Sequence, residues 1–256
     1  MKLHTLILSL AMMLVGGACA HKSGHNRQNL PMSNSSTSVN RSVSTSRPAM
    51  EQEHTPRDLG VEVSSRHGEK LEGTEIFSKY NHAVFMVFTS DGINGYQGSG
   101  FFINNKGLAV SNYHVFKGTN KGQEQIKLSG SDTAYKVVEV IASDQNSDFI
   151  LFRVNCSDND FIPVAGSKPQ VGEKVYAIGS PRGLENTFSS GEVSQWRDTN
   201  LMQINVQIDH GSSGGALINE YGQVVGITSG TFVGNSQANL NYAWSIDVVK
   251  PYINLR

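Results

Sequence analysis

Apolar positions in this chain fall into short runs broken by turn residues, not into the three-and-four spacing of amphipathic helices. A strand is predicted over Ala83 to Thr89. Beyond it come "SGFFIN", "LAVSN", "QIKLS", "YKVVEVIA", "FILFRVN", "EKVYAIGS", "LMQINVQI", "GALIN" and "VVGITS", with "NNKG" and "EYGQ" as turns between them. Runs of this length, rich in Val, Ile and Phe and punctuated by glycine, predict an all-β sandwich or barrel. The weakest break is "GSKPQVG", where Pro169 and two glycines interrupt the strands, and it divides the region into a first barrel of about 74–168 and a second of about 169–256. Helical patterning is confined to the edges. "TEIFSKY" reads as a short helix capped by Thr74, and "SIDVVKPYINLR" as a short terminal helix with Asp247 near its start and Pro251 tolerable only in its first turn.

The amino-terminal stretch has a different character. "MKLHTLILSLAMMLVGGACA" runs from Lys2 through an apolar segment, Leu6 to Val15, into small residues, the layout of a secretory signal over residues 1–20. The apolar core is too short for a membrane-spanning helix, which needs roughly 20 residues. Two processing routes stay open: lipidation of Cys19 after "GGA", which would anchor the protein to a membrane, or an ordinary cut after Ala20. Residues 21–73, typified by "SNSSTSVNRSVSTSR", hold too little apolar surface to offset the entropy of ordering and are expected to be a disordered polar linker. The folded unit is expected to start at Thr74.

Composition narrows the possibilities. The 256 residues carry a formal net charge of −1, which gives no electrostatic reason to expect nucleic acid or an anionic membrane as partner. Only two cysteines occur, Cys19 and Cys156, so a chain cut after Ala20 has no intrachain disulfide even though an export signal would permit one. No phosphate-cradling loop, sugar-hydrolysing carboxylate pair or clustered metal ligands stand out, and no cofactor or metal is implied.

Hydrolysis by a serine needs a histidine to take the hydroxyl proton and a carboxylate to orient that histidine. Of the eight histidines, those in the signal and linker have nothing to position them, leaving His82, His114 and His210. His114, in "GLAVSNYHVFKG", follows a predicted strand and a polar turn, where a scaffold can hold an imidazole at a barrel edge. Asp148, in "SDQNSDFILFRVN", stands at the mouth of an apolar strand; Asp144 in the preceding turn is the alternative, as a capping group. In "QIDHGSSGGALIN", Gly211 lets the backbone turn so that amide hydrogens point inward, and Gly214 and Gly215 allow close approach to a substrate carbonyl.

The order His, Asp and Ser within G-x-S-G-G, spread over a predicted two-barrel β protein, resembles the chymotrypsin-fold serine proteases, and among them the bacterial HtrA-like branch. The resemblance covers about residues 74–256 and rests on "GSGFFINNKGLAVSNYHVFKG", "SDFILFRV", "VGEKVYAIGSPRGLENTFSSGEVS" and "QINVQIDHGSSGGALINEYGQVVGI". It implies two packed six-stranded antiparallel β-barrels and peptide-bond hydrolysis in which His114 is the general base, Asp148 its orienting carboxylate and Ser213 the nucleophile. It further implies an oxyanion hole from the N–H groups of Gly211 and Ser213, Ser229 as a polar neighbour of the triad carboxylate, and Thr228 to Gly230 as the strand that pairs with substrate backbone.

Departures from the family pattern matter as well. Ser212 stands where digestive relatives carry an aspartate that receives a new N-terminal amine, so proteolytic processing is not expected to switch the enzyme on. Gln207 occupies the position at the floor of the primary specificity pocket, which disfavours selection for Lys or Arg and leans toward small or medium apolar side chains. His210 lies close enough to line that pocket or its rim. HtrA-like proteins usually continue into a PDZ domain, whereas this sequence stops soon after the second barrel, so a monomer acting on protein or peptide substrates is expected over a cage. The periplasm, the cell envelope and the medium are the expected locations.

Overall fold

The computed structural model describes residues 55–66, 68–180, 186–231 and 240–255. The signal-like segment, Cys19 and the polar stretch through residue 54 lie outside the described residues. Two short strands, β1 (Arg57–Val61) and β2 (Val63–Ser64), precede helix α1 (Gly73–Tyr80) and a 3-10 turn, Asn81–Ala83. Then come β3 (Val84–Ser90), β4 (Gly95–Phe102), β5 (Leu108–Ser111), the single helical turn α2 (Tyr113–Phe116), β6 (Gln125–Leu128), β7 (Ala134–Asp144) and β8 (Phe149–Val154). These six strands close into an antiparallel barrel in the order β3-β4-β5-β8-β7-β6.

After the short strand β9 (Val164–Ala165) follow β10 (Lys174–Gly179), β11 (Thr187–Trp196), β12 (Leu201–Ile204), β13 (Ala216–Asn219), β14 (Val224–Thr231) and β15 (Asn241–Ser245). They are ordered β13-β10-β11-β12-β15-β14, and pairing of β13 with β14 closes the second six-stranded barrel. The all-β, two-barrel architecture is therefore the one the sequence pattern and the resemblance implied.

Strands β3, β5, β8, β10 and β13 read as continuous apolar runs because both of their faces are covered. Along β8, Phe149 and Leu151 face the seam between the barrels while Ile150 and Phe152 fill the first barrel. On β10, Tyr176 and Ile178 face the seam while Val175 and Ala177 fill the second. β13 repeats this, with Ala216 and Ile218 at the seam and Leu217 inside. The first barrel is packed around Phe85, whose ring lies 4.6 Å from that of Phe102 and 6.4 Å from that of Phe152.

Three expectations are corrected at the edges. The fold reaches back to Arg57, inside the segment read as linker: β1 pairs in parallel with β16 (Ile253–Leu255) and β2 with β9. Leu59 and Val61, alternate residues of β1, are buried, so two well-placed apolar side chains suffice for a strand that can lean on an existing core. Helix α1 starts at Gly73, and its N-cap is not Thr74 but Glu72, two residues earlier, with its N–H donated to Glu75 Oε2 at 2.8 Å. The carboxyl-terminal segment is not one helix but two 3-10 turns, Ile246–Val248 and Lys250–Tyr252, followed by β16; Pro251 does sit in the first turn of the second.

Candidate active site

Each barrel delivers part of the site at the seam. β5 ends at Ser111, buried Asn112 follows, and α2 then turns the chain so that His114 projects at the barrel rim with its side chain 46% exposed. Asp148 stands directly before β8, beside α2, with φ +43°. Its own carbonyl accepts from Asn112 Nδ2 at 2.8 Å, which ties the two loops together.

The Asp148 carboxylate meets three donors. His114 Nδ1–H donates to Oδ2 at 2.8 Å and lies 3.1 Å from Oδ1, the His114 backbone N–H donates to Oδ1 at 3.0 Å, and Ser229 Oγ–H donates to Oδ2 at 2.7 Å. An ionised carboxylate can only accept, so the proton of a neutral imidazole here sits on Nδ1 and Nε2 is left with its lone pair. Asp144, the other aspartate of that loop, accepts from the Ser147 N–H at 2.6 Å and serves as a turn cap.

Ser213 comes from the second barrel, in the turn between β12 and β13. Gly211 and Gly214 take φ of +94° and +87°, and a Cβ on Gly214 would lie 2.2 Å from the Ser99 carbonyl oxygen, so only glycine fits there. The carbonyls of Gly211, Ser212 and Ser213 are tied back. Ser99 Oγ–H donates to the Gly211 oxygen at 2.7 Å, Thr228 Oγ1–H to the Ser212 oxygen at 2.7 Å, and the Ser99 N–H to the Ser213 oxygen at 2.8 Å. Among the described residues, neither the Gly211 nor the Ser213 N–H donates to a protein acceptor. Ser213 Oγ–H donates to the Ser229 carbonyl at 3.2 Å.

His114, Ser213, His210, Ser229 and Gly230 line one cavity of about 290 Å³, together with Ile208 and Asp209. Gln207 and Thr228, expected beside the substrate, instead line a second cavity of about 430 Å³ behind the turn, with Ser212, Phe188 and Ile178. Thr228 is buried, and its hydroxyl also lies 3.2 Å from the Gly215 carbonyl, so its side chain braces the turn from the strand expected to pair with substrate backbone. Ser212 is likewise buried and faces away from His114. Asp209 Oδ1 accepts its neighbour His210's backbone N–H at 2.7 Å, and His82 stands exposed on the 3-10 turn before β3. Burial pushes the Cys156 thiol up to about 11, which removes it as a rival nucleophile.

Sequence reasoning passed over Ser99. Its signal was the "GSGFF" string, in which a small polar residue interrupts a strand that is apolar on both faces.

Residues 98–227, just over half of the chain, match the family model described as trypsin-like peptidase domain. The mitochondrial serine protease HTRA2 of Drosophila ananassae is 32% identical over 181 residues, covering 66% of this chain and 41% of that protein. Its counterpart in Drosophila virilis is 31% identical, covering 66% of this chain and 42% of that one. The chain thus spans about two fifths of the length of these relatives. In fold, it is similar to the crystal structure of the serine endoprotease from Yersinia pestis, with a TM-score of 0.63 at 23% identity over 71% of this chain and 65% of that one. With its paired six-stranded barrels and its match across both of them, the chain belongs to the family of trypsin-like peptidases.

Proposed function

We propose that this chain is an exported serine endopeptidase that works through His114, Asp148 and Ser213. Ser213 Oγ gives its proton to His114 Nε2 and attacks the substrate carbonyl; the oxyanion is held by the Gly211 and Ser213 N–H groups. His114 returns the proton to the leaving amine, and water then releases the acyl group by the same route in reverse. Asp148 holds the Nδ1–H tautomer and offsets the charge His114 gains.

One observation carries the reading: the Gly211 and Ser213 N–H groups have no protein acceptor among the described residues, while the carbonyls of Gly211, Ser212 and Ser213 are all bonded. In the resting arrangement the Ser213 hydroxyl is turned to the Ser229 carbonyl, and a rotation about its Cα–Cβ bond is needed to bring it to His114. Catalytic hydrogen bonds in unliganded sites are often long or misaligned in this way. The same feature supports a second reading, a latent or silent peptide-binding domain that acquires its Ser213–His114 contact only with a ligand bound.

Substrates are proteins or peptides. His210, Ser229 and Gly230 form the substrate-facing wall, and no cofactor takes part. Export rests on Lys2 and the apolar segment Leu6 to Val15, with Cys19 as the lipidation site if the protein is anchored. The protein is proposed to act as a monomer.

Fluorophosphonate labelling tests the assignment. Wild type and Ser212→Ala are expected to label, whereas Ser213→Ala and His114→Ala are expected not to, with turnover reduced roughly a millionfold in each. Labelling that survives loss of Ser213 refutes the nucleophile; labelling of wild type only after a peptide is added establishes the latent form.

A further inference from the structure

We infer that Ser99, a residue of the first barrel, is the positioning residue that sets the oxyanion pocket of the second. The inference rests on the proposed role of Ser213 and deepens it. Ser99 is fully buried on β4, and each of its polar groups is engaged at the seam. Its N–H donates to the Ser213 carbonyl at 2.8 Å, its hydroxyl donates to the Gly211 carbonyl at 2.7 Å, and its own carbonyl accepts from Ser111 Oγ–H at 2.7 Å.

The direction of the hydroxyl proton is not free. Ser99 Oγ accepts the Ser180 N–H at 2.8 Å, and a serine hydroxyl has a single proton to donate, so that proton lies on the Gly211 oxygen. The Ser180 carbonyl is in turn held by Gln97 Nε2 at 2.7 Å, so the donor that orients Ser99 is itself anchored to β4.

The consequence for chemistry follows from the two peptide planes involved. The Gly211 carbonyl belongs to the Gly211–Ser212 peptide, whose N–H donates to the Asp209 carbonyl at 3.0 Å. Bonds at both ends of that peptide hold its plane against the first barrel; the Gly211 N–H belongs to the preceding His210–Gly211 peptide, whose direction is set from this held plane through Gly211 at φ +94°. The Ser213 carbonyl, held by the Ser99 N–H, fixes the other end of the turn. Without the Ser99 hydroxyl the Gly211 carbonyl loses its donor, and a glycine, free in φ and ψ, is the residue whose neighbouring peptides turn most readily. The Ser213 and His114 side chains would stay where they are while the oxyanion pocket loosened.

Saturation kinetics with a fluorophosphonate separate this from a general loss of stability. At 20 °C, Ser99→Ala is expected to lower the maximal labelling rate about 10- to 100-fold, less than the 100- to 1,000-fold for outright loss of an oxyanion donor, with the half-saturating concentration within twofold of wild type. Ser99→Cys keeps the shape and a weaker donor and is expected to fall between the two; it is read by itself if the alanine variant does not fold. Equal maximal rates in the folded variants, or a fall carried by the half-saturating concentration, overturn the inference. Wild type that fails to label, with or without peptide, overturns instead the Ser213 reading beneath it.

Discussion

At φ +43°, Asp148 occupies a left-handed conformation that costs a non-glycine residue about 1 kcal/mol or more. The same conformation sets its carboxylate toward the His114 ring, the His114 N–H and the Ser229 hydroxyl, three donors that come from two barrels. Asparagine tolerates this backbone region and matches the side chain in shape, so Asp148→Asn isolates the chemistry from the geometry. The amide can present only one oxygen to the three donors and can turn its NH2 toward the imidazole, which would then favour the tautomer with the proton on Nε2. Turnover is expected to fall about 10,000-fold while the thermal midpoint moves only a few degrees, as measured by peptide hydrolysis and a thermal melt. Retention of a tenth of the wild-type rate would remove Asp148 from the proposed triad.

At the scale of elements, β1 and β2 show where the fold begins. Leu59 and Val61 are buried, Asn104 Nδ2 donates to the Leu59 carbonyl at 2.8 Å, and Gln223 Nε2 donates to the Ser65 carbonyl at 2.7 Å. Removing residues through 54 is expected to leave the melt and peptide cleavage unchanged. Removing residues through 66 discards two buried side chains worth about 1.5–3 kcal/mol each and should lower the midpoint by roughly 10 °C, at about 2–4 °C per kcal/mol for a domain of this size. Equal midpoints for the two truncations would mean that β1 and β2 add nothing. These strands were illegible in the sequence because "RDLGV" offers only Leu59 and Val61 as a period, and both depend on partners more than 100 residues away. The core strands were legible because their apolar runs are dense and their turns carry glycine. His114, Asp148 and the G-x-S-G-G turn were legible because each stands next to such a strand. Ser99 was not, since its role lies in contacts across the seam to Gly211, Ser213 and Ser180, and neither propensity nor spacing encodes those.

On the scale of the whole molecule, the proposed chemistry straddles a boundary between two cores. His114 and Asp148 ride on the first barrel and Ser213 on the second, so the distance between base and nucleophile is set by how the barrels pack. The seam is built of the outward faces of β8, β10 and β13, with Phe149, Leu151, Tyr176, Ile178 and Ile218 among its buried residues. Interiors packed at crystal-like density respond to a missing side chain by partial collapse, and at a seam that collapse shifts one barrel against the other. Two truncations of equal volume separate the effects. Leu151→Ala opens a hole at the seam and Ile126→Ala one inside the first barrel; both residues are fully buried, and each change should cost about 2–5 kcal/mol. The two melts should therefore fall by similar amounts. Misplacement by about 1 Å can cost on the order of 100-fold in rate, so even part of such a shift matters. Per folded molecule at 20 °C, Leu151→Ala is expected to cleave peptide about tenfold more slowly, and Ile126→Ala within twofold of wild type. Equal activities would show that the seam holds the barrels together without tuning the site, and the registry of His114 with Ser213 would then have to be carried by the hydrogen bonds that cross it, those of Ser99, Gln97 and Ser229 among them.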